Sequence, residues 1–232
     1  MLQRDTWWDI ASFILRSVLT SIAAIILVLQ ANGYVIDFDR LRIEKAGLLV
    51  ITTQTPAVTT LLDGKELRLQ LGQLTKQYFP GQYQLEVRKA GYQTWQYQAD
   101  IKKGHVAVFA DITLFPEQLT VINDHPVTAT ELKAPVVSDQ LRLVGTELWH
   151  RTKDVERLVT RLSVPMIAAV IFDSTHVIYE TASEIHVIDM DGSNDQRLLE
   201  REFVTPMPLL IIESGRTLSV IGTETTTNYR LQ

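Results

Sequence analysis

The chain has no cysteine, so disulfide frameworks, thiolate metal sites, iron–sulfur ligation and thiol nucleophiles are excluded, while the redox compartment stays open. Glycine and proline are sparse, 11 and 8 in 232 residues, which removes collagenous and low-complexity classes. The sequence motifs of common enzyme chemistries are also missing. No GxSxG, Walker A loop or GxGxxG is present to support acyl transfer, nucleotide hydrolysis or dinucleotide binding. The five histidines, His105, His125, His150, His176 and His186, show no HExxH spacing. Positive charge is not in excess: 22 Lys and Arg stand against 27 Asp and Glu, a net charge of −5, which argues against a protein that tracks nucleic-acid phosphates. The expectation is a non-enzymatic protein with no catalytic residue and no cofactor. With 46% hydrophobic and 21% charged residues, the chain has the balance of a folded protein, and its length suits one large domain or two small ones.

Charge is absent from Ser17 to Ile36, and a helix of those 20 residues covers about 30 Å, the thickness of a hydrocarbon core. The most apolar part, Val18 to Leu29, is shorter, and Gln30, Asn32 and Gly33 weaken its outgoing end, so a cleaved signal peptide has to be weighed against a retained anchor. Cleavage after Ala31 would put Leu29 where a small residue is wanted, which favours retention. Upstream, Asp5, Asp9, Ser12 and Arg16 recur at helical spacing opposite Trp7, Trp8, Ile10, Ala11, Phe13 and Ile14. This reads as an interfacial turn with both indoles at headgroup level and Arg16 snorkelling, the crossing starting near Ser17. The alternative, a soluble amphipathic helix continuing into a buried one, has nothing later in the chain patterned to cover it. Arg4 and Arg16 precede the crossing while Arg40, Arg42 and Lys45 follow it, so charge does not set its orientation. A short leader before about 200 β-rich residues reads as a signal anchor with the amino terminus in the cytoplasm. Val35 to Lys45 then forms a short charged stem.

From Gly47 the period becomes that of strands, beginning with Leu48-Leu49-Val50-Ile51. Asp63-Gly64 after Thr59–Leu62 is a hairpin turn, and Pro80-Gly81 is a turn before the strand Gln82 to Arg88. There Tyr83, Leu85 and Val87 alternate with Gln84, Glu86 and Arg88, which puts Tyr83 in the core. By the same rule Trp95, Tyr97, Ala99 and Ile101 face inward, and a last strand runs from Val106 to Leu114. The run from Pro80 to Trp95 (PGQYQLEVRKAGYQTW), together with Asp63-Gly64-Lys65, resembles the PEGA domain over about Gly47 to Glu117. The resemblance implies a small extracytoplasmic β-sandwich of the kind carried by bacterial envelope proteins, used for attachment or partner binding and without a catalytic residue. The Pro-x-Gly-Ala signature is only partly matched, by Pro56-Ala57-Val58, so this first turn is built differently. Residues 47–116 hold seven Lys and Arg against five Asp and Glu, too little positive charge for nucleic acid. Tyr78-Phe79 and Tyr92 offer stacking faces for a sugar ring, although aromatics in so small a sandwich mostly pack its core or strand ends.

Residues 117–232 carry ten Lys and Arg against 17 Asp and Glu, so the acidity is concentrated here and a boundary falls near Phe115-Pro116-Glu117. Three segments look alike: Leu141 to Arg151, His176 to Asp189, and Thr217 to Leu231, with starts 35 and 41 residues apart, a period suited to propeller blades. Asp189-Met190-Asp191-Gly192 followed by Arg197-Leu198-Leu199 resembles blades of TolB and WD40-like β-propellers. Three blades fall short of the usual ~4–8, so the exposed edge and blade face need cover. Compact packing within the chain, docking on the PEGA-like part and self-association all satisfy that need, the first being the expectation. Asp189, Asp191 and Asp195 around Gly192 provide a candidate calcium loop with Glu200 at the twelfth position, but the preceding Ile185 to Ile188 alternates as a strand, and a blade hairpin explains the loop without metal.

The fold class is therefore mainly β: a transmembrane helix (1–36), a stem (37–46), a PEGA-like β-sandwich (47–116) and an incomplete propeller-like antiparallel domain (117–232). The expected function is that of a single-pass, membrane-anchored envelope protein of the cytoplasmic membrane. It would contact membrane lipid through its helix and bind an envelope protein or cell-wall polysaccharide, but no nucleic acid. An accessory subunit of a propeller-bearing hydrolase and a calcium-dependent binding module are the alternatives.

Overall fold

A computed structural model describes residues 3–38, 42–133, 136–153, 155–200, 209–212, 216–222 and 224–231. The chain is mainly β, with one apolar helix at its start and several small sheets. Helix α1 (Gln3–Ala31) is followed by β1 (Tyr34–Asp37), β2 (Arg42–Lys45), β3 (Gly47–Thr53), β4 (Thr59–Leu62), β5 (Lys65–Leu67), β6 (Gln73–Tyr78), β7 (Gly81–Arg88), β8 (Trp95–Ile101) and β9 (Val106–Ile112).

The apolar part of α1 runs from Ile10 to Ala31 with mean hydropathy 2.2, and none of the described residues covers it. This is long and apolar enough to span a membrane. Thr20 and Ser21 donate their hydroxyls to the carbonyls of Arg16 and Ser17, so neither is left unpaired. The expected outgoing end at Ile36 is corrected to Ala31. Asn32 donates both its backbone N–H and its side-chain amide to Val28 O, and Gly33 at φ +79° takes the left-handed cap that ends a helix. The expected stem is likewise a two-stranded hairpin, β1 on β2, paired from Tyr34↔Lys45 to Asp37↔Arg42, with Arg42 on Glu44 at 2.8 Å. Trp7, Trp8, Phe13 and Ile14 are exposed. Arg40 and the side chains of Arg4, Asp5 and Asp9 lie outside the described residues.

The chain packs as two compact units. The first comprises Met1–Thr52, Leu69–Tyr83 and Gln98–Ala110. Its sheet has the order β6-β3-β9, and in β3 the buried Gly47, Leu49 and Ile51 alternate with half-buried Leu48 and Val50. Gly47 is required by close approach, because a Cβ there would strike Ile101 Cγ2 and the Lys102 carbonyl. Tyr83, expected in the core, is half-buried at a strand start: its hydroxyl donates to Phe79 O at 2.9 Å and its ring tilts against Tyr78 at 5.9 Å. A phenol needs a hydrogen-bond partner, and the strand end supplies one.

The second unit comprises Thr53–Arg68, Gln84–Tyr97 and Asp111–Gln232. Asp63 and Gly64, at φ +48° and +74°, form the β4–β5 turn, and Asp63 Oδ1 accepts the Gln84 N–H at 2.8 Å. The sheet order is β5-β4-β7-β8, with Thr60 opposite Val87 and Leu62 opposite Leu85. In β8, Trp95 is buried and Tyr97 half-buried in this unit, and the strand runs on into the first, where Ala99 and Ile101 are buried. Ala57 at φ +56° puts the first turn in a left-handed conformation without glycine. The strand expected to reach Leu114 stops at Ile112, because Asp111 adopts φ +57° and the Leu114 N–H turns to Thr55 Oγ1 at 2.9 Å.

Beyond Phe115 the second unit holds β10 (Thr120–Pro126), a 3-10 turn (Glu131–Lys133), β11 (Leu141–Val144), β12 (Glu147–Arg151), β13 (Glu156–Arg161), β14 (Ala168–Ile171), β15 (His176–Glu180), β16 (Glu184–Asp189), β17 (Gln196–Glu200), β18 (Leu209–Ile212), β19 (Thr217–Ile221) and β20 (Thr225–Arg230). They form three antiparallel sheets, β11-β12-β13, β14-β15-β16-β17 and β10-β20-β19-β18. The middle sheet is buried on both faces. Ala168, Ile178, Ile185 and Val187 pack with Leu209, Leu218 and Val220 on one side, and Ala169, Val177, Tyr179 and Ile188 with Leu141, Leu148 and Val159 on the other. The three look-alike segments are all hairpins, but they differ in phase: Leu141 to Arg151 opens its sheet, whereas the other two are its second and third strands. The last sheet is completed by β10, which runs antiparallel to β20 and covers an edge that the segments alone leave open. Asn228 on β20 ties the three strands together, accepting from Ser219 at 2.6 Å and donating to Asn123 at 2.8 Å.

Candidate functional site

The densest cluster of ionisable groups surrounds the turn from β16 to β17. Upstream, Asp173 folds the segment Asp-Ser-Thr-His into a tight turn: its Oδ1 accepts the N–H groups of Thr175 and His176, both at 2.8 Å. The buried His176 ring is thereby clamped, with Nδ1 2.8 Å from Asp173 and Nε2 3.3 Å from Asp189. The Thr175 hydroxyl also lies 2.9 Å from His176 Nδ1, so that nitrogen is held by its own turn.

Asp189 ends β16, and its Oδ2 accepts from Trp95 Nε1 at 3.0 Å, Asn194 Nδ2 at 2.9 Å and Ser193 Oγ at 3.1 Å. Burial raises its pKa, an effect that outweighs the opposing pull of those donors and of His176. Asp191 meets the same residue, accepting the Ser193 N–H at 3.0 Å and its hydroxyl at 2.5 Å. Burial pushes its pKa up, but the Ser193 and Tyr97 hydrogen bonds prevail and hold it low. Asp195 accepts from the Tyr179 hydroxyl at 2.7 Å and lies 2.9 Å from His186 Nδ1, whose ring stacks on Tyr179. Burial and then Asp195 raise the Tyr179 pKa. For His186, burial favours the neutral ring, yet Asp195 and Glu184 outweigh it and raise the pKa.

Of the three carboxylates of the candidate calcium loop, Asp189 and Asp191 thus share the Ser193 hydroxyl, while Asp195 serves a separate pair, Tyr179 and His186. Among the described residues no group of three or more His, Cys, Asp and Glu side chains is placed to hold a metal ion. The loop is shaped as a hairpin turn: Gly192, at φ +86°, donates its N–H to Asp189 O, and a Cβ there would strike the Val159 carbonyl. Glu200 sits on β17 opposite Glu184, with its carboxylate 3.1 Å from Arg197.

Segment 93–96 adds to this turn by side chains that the sequence did not flag. Besides the Trp95 bond, Gln93 Nε2 donates to Arg197 O at 2.7 Å, Gln196 Nε2 donates to Thr94 O at 3.0 Å, and Gln96 N–H donates to Asn194 Oδ1 at 3.0 Å. The signals that were present, an Asp-Ser-Thr-His turn and a lone inward Trp, fix conformation and burial but not the partner.

An open cleft of about 620 Å³ lies beside the cluster, lined by Asp139, His150, Arg151, Lys153, Asp173 and Met190 among others. It carries charges of both signs, and Arg151 is held by Glu156. The remaining histidines are scattered: His105 is exposed with Nδ1 2.9 Å from Lys103 O, and His125 pairs with Glu131, whose pKa falls to about 2 chiefly through the Thr128 N–H. The rings considered for sugar stacking face cations instead, with Lys89 4.4 Å over Tyr92, Lys76 5.5 Å over Tyr78 and Arg42 5.6 Å over Phe79.

Comparison with protein families and with curated proteins gives no match. Among solved structures the chain is similar to a quinonprotein alcohol dehydrogenase-like protein from Bacteroides thetaiotaomicron, at 11% identity and a TM-score of 0.26, over 72% of this chain and 46% of that one. The chain thus spans less than half the length of that protein.

Proposed function

We propose that this chain is a single-pass membrane protein that holds β-built binding units at the outer face of the cytoplasmic membrane, where they engage an envelope protein or cell-wall polysaccharide without catalysis. The observation that carries the reading is α1: from Ile10 to Ala31 it is apolar and uncovered among the described residues, and a bilayer is the environment that satisfies such a surface. The strand succession around Asp63-Gly64 and Pro80–Trp95 supports the PEGA-like reading. The face-to-face sheets, with β10 completing the last, support a propeller-like arrangement of the final region. The polar network around the β16–β17 turn has its hydrogen bonds made internally, which supports a structural part for it in a binding unit. Anchoring acts through effective concentration, keeping the β units within reach of whatever surface they contact.

The test is protease accessibility of the carboxy-terminal half in intact cells against spheroplasts, with membrane fractionation alongside. Protection in intact cells, cleavage in spheroplasts and retention of full-length protein in the membrane pellet are expected. Full-length protein in the soluble fraction after lysis refutes the anchor, and protection in spheroplasts refutes the orientation.

A further inference from the structure

We propose that the outer face of the β6-β3-β9 sheet rests on the bilayer surface that α1 crosses, with phospholipid headgroups as its partner; this deepens the anchoring reading and rests on it. Val106 and Val108 on β9 are 56% and 58% exposed. On β3, Leu48 and Val50 occupy the face opposite the buried Leu49 and Ile51. The Leu48 N–H donates to His105 O at 2.9 Å, which by the ladder rule sets Leu48 beside Val106 and Val50 beside Val108 on one apolar face. The next strand continues it with Gln77 and Thr75, opposite Leu48 and Val50.

This face begins at the helix exit. Ala46 N–H donates to Gly33 O at 2.8 Å, and Gly104 N–H donates to Ala46 O at 2.9 Å, so the Lys102–Gly104 turn lies one residue's width from the cap of α1. Val106 follows two residues later, about 7 Å along the strand, a distance comparable with the depth of the headgroup layer. Lys45, Lys102 and Lys103 gather at the same turn, Lys45 packing its stem on Gly104. Two carboxylates lie close by: Asp100, 3.6 Å from Lys102, and Glu44, held by Arg42. An apolar face rimmed by lysines at the mouth of a spanning helix is built for an anionic interface. A second copy is the weaker occupant, because a two-fold contact across this face would bring the lysines of both copies together.

The chain lacks cysteine, so Val108→Cys in the full-length protein gives one site for an environment-sensitive fluorophore. The protein is reconstituted in phosphatidylcholine vesicles with or without phosphatidylglycerol, and flotation is measured first. Protein that does not float overturns the anchor and this proposal together. In floating protein, quenching of the label by spin-labelled phospholipid and its protection from iodide are expected. A label open to iodide and untouched by spin-labelled lipid overturns the docking while leaving the anchor intact. Protection from both quenchers, with energy transfer between donor- and acceptor-labelled copies, shows a second copy on the face and also overturns it. Lys102→Ala/Lys103→Ala is expected to lower the docked-to-free ratio roughly tenfold in phosphatidylglycerol vesicles, with little change in phosphatidylcholine. An unchanged ratio overturns the headgroup contact.

Discussion

Replacing Asp189 tests whether the turn from β16 to β17 is held by its buried network. In Asp189→Ala, Ser193 and Asn194 lie near the surface and turn to water, but Trp95, only 6% exposed, loses the acceptor for its ring N–H. An unsatisfied buried donor costs about 1–3 kcal/mol, so a loss of about 2 kcal/mol is expected. For a chain of this size that lowers Tm by about 4–8 °C. Asp189→Asn keeps the volume and one acceptor oxygen, and costs only the charge assistance, about 1 kcal/mol. Thermal unfolding in detergent micelles followed by far-ultraviolet circular dichroism gives a signal independent of tryptophan. It also permits a double-mutant cycle with Trp95→Phe, in which the predicted coupling to Asp189→Asn is about 1 kcal/mol. An Asp189→Ala Tm equal to that of the parent, or strict additivity in the cycle, refutes the network as a source of stability.

His186 sits between Asp195 and Glu184 with a pKa raised above the ordinary 6.5. Its contribution is therefore fully present below pH 6.5 and lost as pH rises through the higher folded value, and His186→Gln is expected to flatten the fall in Tm over that window. Asn228→Ala leaves Ser219 and Asn123 without their shared partner, so a loss of about 2 kcal/mol is expected, together with faster amide hydrogen exchange in residues 120–126. Gly64→Ala and Gly192→Ala both place a side chain at positive φ, but nothing lies near the first position while the Val159 carbonyl blocks the second. Chemical denaturation is expected to show a loss of about 1 kcal/mol for Gly64→Ala and a clearly larger one for Gly192→Ala.

Local spacing in the sequence carried most of the secondary structure. The charge-free run implied a long apolar helix, Asp63-Gly64 marked a turn because those residues tolerate positive φ, and alternation in Gln82–Arg88 and Trp95–Ile101 sorted buried from exposed faces. The look-alike segments were legible as hairpins for the same reason. The exact helix end was harder to read, since Tyr34, Val35 and Ile36 are as apolar as the span, and hydropathy does not register the left-handed cap at Gly33. The candidate site was legible only as a turn: its three aspartates fit a metal loop by composition, whereas their orientation depends on neighbours.

What the amino-acid order settled by itself was therefore the period of each segment, its turns and the absence of thiol chemistry, because dihedral preference and face alternation act within a few residues. Folding of the whole chain decided that β10 completes the last sheet, where Asn123 meets Asn228 across 105 residues, and that Trp95 meets Asp189 across 94. Nothing local encodes such partners, because any exposed strand edge accepts any other and any buried carboxylate accepts any donor. The choice is made by the packing of all the sheets at once, which buries the most apolar surface while leaving the fewest polar groups unpaired.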